Sequence, residues 1–512
     1  MNETLPEPTS DARAIKNKIV NAWCMYDWAN SAFATTIMAA VLPIYYSQVA
    51  GATLPSSAVA TAYWSLGLSL SLLIGTVLAP ILGTVSDIVR GKKRFLTSFA
   101  MLGIAGTGLL VLVDTGDWLL ASILFVLARI GFSGANVFYD ALLPHVADEG
   151  ERDRVSTKGY ALGYLGGGLL LAVNAAMIAI LPGNWGPRLS FLSVAIWWAV
   201  FSIPILRHVP EPPAATLDQN TSGVVSSSVI GASFRRLWDV LKDIKRYREL
   251  FKFLLAFLIY NDAIGTIIGV ASIYGAELGF DSLQLVLALL LVQFVGIPFS
   301  LIFGRLPSKG ESRRPFYLAF VLYNLIALPL AGVLGGRWLS TDNIGAILGL
   351  IIAIEAVGAL LALGLGRTLF STWALTFDTR RSIILALIVY SVISVWGYFL
   401  NSVVEFWLLA WMVAMVQGGS QALSRSLYAT LSPAAKSGEF FGLFGVMEKF
   451  SAILGPLLFA AAVGIFGNSR PAILSLILFF IVGIVLLRRV DIEAGTRVAR
   501  EEDARAGLAP AS

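Results

Sequence analysis

The sequence predicts an all-α membrane protein of about fourteen transmembrane helices, and three observations carry that expectation. Hydrophobic residues make up 57% of the 512 and charged ones only 13%, against roughly 25% charged in an ordinary soluble domain; mean hydropathy is +0.77. Apolar runs of about 20 residues, enough to cross a hydrocarbon core about 30 Å thick, recur from Val20 almost to the end of the chain. Lys and Arg collect in alternate connecting segments, as the positive-inside rule requires of a correctly counted helix series. Lipid-exposed backbone has to satisfy its own hydrogen bonds, and these runs lack the polar alternation of barrel strands, so the spans are read as helices.

In chain order, residues 1–19 form a polar tail with Arg13, Lys16 and Lys18 ahead of the first span. No short apolar stretch with a small-residue cleavage site follows, so an uncleaved first helix is expected. Six spans read at about 20–46, 59–83, 95–113, 118–143, 157–181 and 189–207, making a first unit over 20–207. The longest polar interruption, 208–250, opens with PEPPAAT and TSGVVSSS, a flexible-linker composition. It continues into SFRRLWDVLKDIKRYREL, where Leu237, Leu241, Ile244 and Leu250 share a helical face beside Trp238, while Arg235, Lys242 and Arg246 supply a basic one. This segment reads as an interfacial helix on the inner leaflet, with an ordinary solvated helical linker as the alternative. Eight further spans read at about 251–276, 283–304, 315–335, 344–366, 382–401, 404–428, 439–466 and 470–488, and residues 489–512 form a tail.

With the N-terminus inside, only Arg188, Arg337 and Arg470 of the 37 Lys and Arg fall in outer loops, and Arg129 and Lys449 fall inside spans. One miscounted helix would reverse the sign of every later loop, so an even count with both termini cytoplasmic is expected. A bacterial plasma (inner) membrane is the expected location.

The two units carry paired signals. YDWANSAF, beginning at Tyr26, and IYNDAIGT, beginning at Ile259, each put an aromatic, an acid and an asparagine in mid-helix. Gly83-Thr-Val-Ser-Asp87 with its following basic cluster corresponds to Gly304-Arg-Leu-Pro-Ser followed by Lys309, Arg313 and Arg314. YDALLP, beginning at Tyr139, corresponds to YATLSP, beginning at Tyr428. The spacing between paired signals lengthens by roughly sixty residues before the last pair, which places an inserted two-helix hairpin at about 315–375. Two six-helix bundles plus that hairpin account for fourteen helices.

The loop GTVSDIVRGKKR resembles the Gly-x-x-x-Asp and Gly-basic-basic loop between helices two and three of the major facilitator superfamily, with one extra residue between the acid and the second glycine. Three longer stretches are AWCMYDWANSAF, YALGYLGGGLLL and VQGGSQALSRSLYATLSP, the last with EFFGLFGVMEKFSAILGP behind it. They are similar to the branch of that superfamily containing the autophagy-related vacuolar amino-acid effluxers and their bacterial relatives. The resemblance runs from about Trp23 to Leu487, outside the hairpin. It implies the major facilitator fold, alternating access between two six-helix bundles, and secondary active transport of a small polar solute. Neutral amino acids and efflux are what the eukaryotic members imply. A lipid-moving or membrane-remodelling protein on the same fold is the alternative.

An ionisable side chain at the bilayer centre costs roughly 2.5–3.5 kcal/mol on insertion scales unless it is paired or wetted, so each one marks a candidate site. At 1.5 Å per residue, Asp27 lies about 13 Å past Lys18 and Asp262 about 15 Å past Lys252, with Arg129 and Lys449 at similar depth. These two acids and two cations are expected to face a central cavity, pairing across it or gripping the ammonium and carboxylate of a zwitterion. Asn30, Asn136, Asn261, Gln417 and Gln421 lie near the same level, as partners for a solute or as links between helices. Asp27 and Asp262 are the candidate carriers if transport is coupled to protons. In similar proteins the loop after the second helix locks the closed arrangement, which makes Asp87, Arg90, Lys92, Lys93 and Arg94 a candidate cytoplasmic gate. Asp140 and Arg425, at the inner ends of their helices, are a second set of gate contacts. Topology-setting charge alone is the other reading of the basic cluster.

Other chemistries find little support. The single cysteine, Cys24, cannot close an internal disulfide, and His145 and His208 sit at polar edges. No metal-ligand or nucleophile–base pair stands out in the spans, so neither an enzyme nor a cofactor is expected. GYLGGG, from Gly163 to Gly168, has no preceding strand and no Gly-Lys-Ser/Thr, and reads as close helix packing rather than a nucleotide loop. The expected partners are a small-molecule substrate, the bilayer and protons, with no nucleic acid; nothing in the sequence fixes an oligomeric state.

Overall fold

A computed structural model describes residues 10–55, 57–213, 245–280, 282–308, 310–338, 344–451 and, with short gaps, 455–507. The first span starts earlier and ends later than the hydropathy pattern suggests. Its α1 (Ser10–Ala32) runs on through a π-helical segment (Phe33–Ala40), an α-helical turn (Val41–Tyr45) and a second π segment (Tyr46–Ala50). Pro43 lies in that turn; it offers no N–H and its ring crowds the carbonyl four residues back, so the ladder widens on either side of it.

Five more helices complete the first half: α2 (Ser57–Ile88), α3 (Lys92–Leu109), α4 (Trp118–Ala141), α5 (Arg152–Ile180) and α6 (Trp185–His208). The second half holds α7 (Arg248–Glu277), α8 (Ser282–Arg305), α9 (Arg314–Trp338), α10 (Ile344–Leu369), α11 (Thr379–Phe399), α12 (Val403–Leu431) and α13 (Ser437–Phe450). It closes with α14, in two pieces (Arg470–Ser475 and Ile477–Arg488), and a tail helix, α15 (Ile492–Arg505). Among the described residues no strand occurs, and 13 helices are long and apolar enough to cross a membrane. The remaining expected span, 439–466, is represented by α13, and most of 452–468 lies outside the described residues. The same holds for 214–244 and with it the greater part of the expected interfacial helix.

In the first half α1 packs on α5 and α6, α3 on α4 and α6, and α2 on α4. In the second half α7 packs on α14, α8 on α12, and α11 on both α12 and α14, so α11 stands to its neighbours as α3 stands to α4 and α6. Helices α9 and α10 pack on each other and reach the body chiefly through α9 against α12. Large apolar side chains such as Leu66, Leu73, Ile352 and Leu360 remain exposed along α2 and α10, a surface suited to lipid.

The halves meet along two seams, α2 with α13, and α5 with α8 and α12. A glycine makes each seam close. A Cβ added at Gly83 of α2 would lie 2.1 Å from the carbonyl oxygen of Gly438 on α13, and one added at Gly304 of α8 would lie 1.8 Å from Thr157 Oγ1 on α5. These are the two glycines paired in the sequence repeat. On α5, Gly163, Gly166 and Gly167 press in the same way against Ser31, Trp28 and Thr35 of the first span. One end of the molecule gathers the start of α1, the α2–α3 loop and α15; there Lys16 pairs with Asp148 and Glu151, and Arg500 with Glu149. We call it the basic face.

Candidate functional site

Arg425, on α12 of the second half, projects into a box built by α1, α4 and α5 of the first. Its Nη1 donates to Asp140 Oδ1 at 3.0 Å, its Nη2 to Asp27 Oδ2 at 3.3 Å and to the Ser156 carbonyl at 3.0 Å, and its Nε to Ser156 Oγ at 2.9 Å. Three aromatic rings surround the guanidinium, with its carbon 4.6 Å from the Tyr160 centroid, 4.9 Å from Trp23 and 5.4 Å from Tyr139. Tyr139 donates its hydroxyl to Asp27 Oδ2 at 2.7 Å, and Trp23 Nε1 donates to the Tyr139 carbonyl at 3.0 Å. Gly159 is needed for the approach of Asp27, since a Cβ there would lie 2.4 Å from Asp27 Oδ2. Arg425 is only 4% exposed. A buried guanidinium is tolerable when its fork is filled by carboxylates and its faces by rings, and both conditions hold.

Next to this box, between α2, α4 and α13, lies a cavity of about 220 Å³. Arg129, Asn136, Asp140, Glu448 and Lys449 give it its polar lining, and Met38, Phe132, Phe441 and Phe444 its apolar walls. Arg129 and Lys449 make no ion pair or hydrogen bond through their side chains among the described residues. Lys449 extends over two glycines, Gly75 of α2 and Gly445 of its own helix, which leave room for its ammonium. Glu448 is its sequence neighbour and acts on it electrostatically together with Arg129.

At the basic face Asp87 is fully buried. It pairs with Lys92 at 2.5 Å and accepts hydrogen bonds from the Gly438 and Glu439 N–H groups at 3.0 and 2.8 Å, so it caps the amino end of α13 across the seam. Carboxylates are favoured at helix N-termini because unpaired N–H groups and the helix dipole converge there. His145 meets Ser437 at 3.0 Å, Arg152 donates to the Ala429 carbonyl at 3.1 Å, and Ser156 to the Ala422 carbonyl at 2.8 Å. These bonds between the halves lie at the level of Arg425 or nearer the basic face.

These placements differ from the sequence reading in partnership. Pairing of Asp27 with Arg129 or Lys449 is one of the two arrangements the sequence suggests; its cation here is Arg425, because α12 rather than α4 or α13 turns a basic residue toward α1. Asp262 does not line the cavity, and its Oδ2 accepts the Gly455 N–H at 2.6 Å. The amides link helices: Asn30 donates to Asn136 at 2.6 Å, and Gln421 to Asn261, itself bonded to Ser451, at 2.6 Å each. Gln417 is half-buried and outside the cavity lining. Of the basic loop, Lys92 is buried in the Asp87 pair, Lys93 uses its backbone N–H to bind Glu211 at 3.0 Å, and Arg90 and Arg94 are exposed. Arg90 sits at a φ of 51°, the left-handed turn that carries the chain from α2 into α3. Glu448, Tyr139, Tyr160, Ser156 and Trp23 complete the site, and none of them is among the candidates the sequence offers. Glu448, an acid in mid-span beside Lys449, could have been found by the same burial argument; the aromatic box carries no such signal. Among the described residues no group of three His, Cys, Asp or Glu is placed to hold a metal ion.

The family described as vacuole effluxer Atg22 like matches residues 54–347 and 339–500. An uncharacterized MFS-type transporter of Bacillus subtilis, YxiO, is 33% identical over 490 residues, covering 94% of this chain and 97% of that one. Autophagy-related protein 22 of Yarrowia lipolytica is 25% identical, covering 84% of this chain and 76% of its own. Among solved structures, the proton:xylose symporter XylE aligns with a TM-score of 0.58 at 15% identity over 97% of this chain and 100% of its own. The transporter FucP in its outward conformation aligns with a TM-score of 0.55 at 11% identity over 93% of this chain and 98% of its own. Those two likenesses establish the fold, and the sequence matches go further. With its paired halves, its seams and its charged interior, the chain belongs to the Atg22-like family of the major facilitator superfamily, a family of membrane transporters.

Proposed function

We propose that this transporter is a secondary active carrier of a small zwitterionic solute, with neutral amino acids the first candidates and export the direction. The observation that supports it best is the cavity between the halves, where Arg129 and Lys449 are available to a carboxylate and Glu448 to an ammonium. Its volume, about 220 Å³, falls below the range of drug-sized pockets and suits a small solute. The effluxer description of the matched family supports export.

With both termini on the cytoplasmic side of a bacterial plasma membrane, closure at the basic face makes this an arrangement closed to the cytoplasm. Asp27 and Asp140 share one guanidinium, which leaves one negative charge in excess, so this pair is the proposed place for proton exchange as the halves part. Asp87, Lys92 and the amino end of α13 form the cytoplasmic gate, and Arg90, Lys93 and Arg94 set topology.

The test is counterflow of labelled leucine and tyrosine into proteoliposomes preloaded with unlabelled amino acid, comparing the intact protein with Arg129→Ala and Lys449→Ala. Accumulation by the intact protein that falls roughly tenfold or more in either variant supports the reading, since each removes a charged contact to the solute. No accumulation by folded protein overturns it for amino acids, and protein-dependent exchange of fluorescent lipid in its place would favour the lipid-moving alternative.

A further inference from the structure

A second, larger cavity opens at the basic face, where α1, α5 and α8 meet; its volume is about 490 Å³. Its rim is cationic: Lys16, Arg154, Lys158 and Arg305 face a single acid, Glu151. Glu151 is already paired, with Lys16 at 2.5 Å and with Arg154 at 3.5 Å. Lys158 and Arg305 differ from those two. Lys158 Nζ is held by Asn21 Oδ1 at 2.6 Å and Arg305 Nη1 by the Tyr317 hydroxyl at 3.1 Å, so neutral groups position both cations without cancelling their charge. Neither has a carboxylate within ion-pair distance among the described residues.

The two cations come from opposite halves and lie at one level. Lys158 follows Thr157 and Arg305 follows Gly304, the residues that make the closest approach of α5 and α8. Toward the membrane the lining turns apolar, with Leu162 and Leu165 from α5 and Ile297 and Leu301 from α8. At 1.5 Å per residue, Leu165 lies about 10 Å along its helix from Lys158, and Ile297 about 12 Å from Arg305. That depth takes up most of one leaflet, about half of a 30 Å hydrocarbon core.

We infer that this groove binds one anionic phospholipid, its phosphate bridging Lys158 and Arg305 and an acyl chain lying on the leucine and isoleucine floor. A free anion would gain nothing from that floor. A zwitterionic headgroup would bring its own ammonium to a rim that already holds two uncompensated cations. Because the phosphate bridges both halves, the bound lipid holds the α5–α8 seam closed at the basic face. The inference does not depend on which solute is carried.

The test is native mass spectrometry of the full-length protein, delipidated in detergent and titrated with phosphatidylglycerol, phosphatidylcholine or inorganic phosphate. Phosphatidylglycerol is expected to bind most tightly. Its affinity should fall about twenty-five-fold in Lys158→Ala/Arg305→Ala, at about fivefold per cation. Leu165→Trp, which fills the floor and leaves every charge in place, should weaken the lipid and leave phosphate unaffected. Equal retention of phosphatidylcholine, phosphate binding as tight as phosphatidylglycerol, or an unchanged lipid affinity in both variants would each overturn the assignment. Because the readout is lipid binding, its failure is separate from any failure of amino-acid counterflow.

Discussion

Taking a guanidinium out of water costs several kcal/mol, and Arg425 recovers that through two carboxylates, two contacts to Ser156 and three ring faces. Its removal is expected to be more harmful than its presence is helpful. Arg425→Ala leaves Asp27 and Asp140, both partly buried, without their cation, and should destabilise the protein by about 3 kcal/mol, read as a fall in the unfolding midpoint in detergent. Arg425→Lys keeps the charge but cannot fork between two acids, and should fall between the two. An unfolding midpoint unchanged in Arg425→Ala would remove this residue as the keystone of the box. Arg129 and Lys449, which have no such partners, should tolerate alanine without loss of stability while losing transport. Asp27 was legible in the sequence because an acid in mid-span is conspicuous. Its partner was not, because the two lie 398 positions apart and only the facing of α12 toward α1 brings them together.

Among the helices, the α2–α13 seam carries the clearest consequence. Gly83 and Gly438 let two backbones touch, and Asp87 caps α13 one turn further on. A methyl at Gly83 would have to push α13 away, an overpacking cost of about 1–3 kcal/mol that falls only on the arrangement closed at the basic face. Gly83→Ala should therefore shift the population toward opening there. The measurement is labelling of Ser133→Cys, in the cavity lining, by a membrane-impermeant thiol reagent added from the basic side, with Cys24 buried and silent. The rate should rise roughly tenfold in the Gly83→Ala background. No change would mean that the seam yields without opening the gate. The Gly-x-x-x-Asp pattern is conspicuous in the sequence, but that its acid seats on the amino end of α13 follows from packing alone.

For the molecule as a whole, α15 ties the halves together across the basic face. Arg500 reaches Glu149 of the first half at 2.7 Å, while Asp503 accepts the Ala434 and Ala435 N–H groups at 3.1 and 2.8 Å and Glu502 pairs with Lys436 and Arg246. Burial disfavours the Glu502 carboxylate, but the Lys436 hydrogen bond and the charges of Lys436, Arg246 and Arg505 outweigh it and hold the carboxyl below its ordinary value. A depressed carboxyl supports docking above the ordinary glutamate range and loses that support as the pH falls through the depressed value. A spin label at Glu501→Cys, an exposed neighbour, should be restrained at about pH 7 and freed only once the pH has fallen below the ordinary glutamate range. A label equally restrained at about pH 3 would show that Glu502 is not what holds the strap.

Composition, span length and the one-sided placement of Lys and Arg were enough, by themselves, to determine a helical membrane protein, because bilayer thickness and backbone hydrogen bonding leave a chain this apolar few other solutions. The motif stretches identified the superfamily branch. The tertiary structure alone decided that Arg425 serves Asp27 as well as Asp140, that Asp262 caps a backbone N–H instead of lining the cavity, and that Glu448 joins Arg129 and Lys449. Depth along a helix can be read from residue number, but which face meets which neighbour depends on the packing of every helix at once, and partners are set by faces.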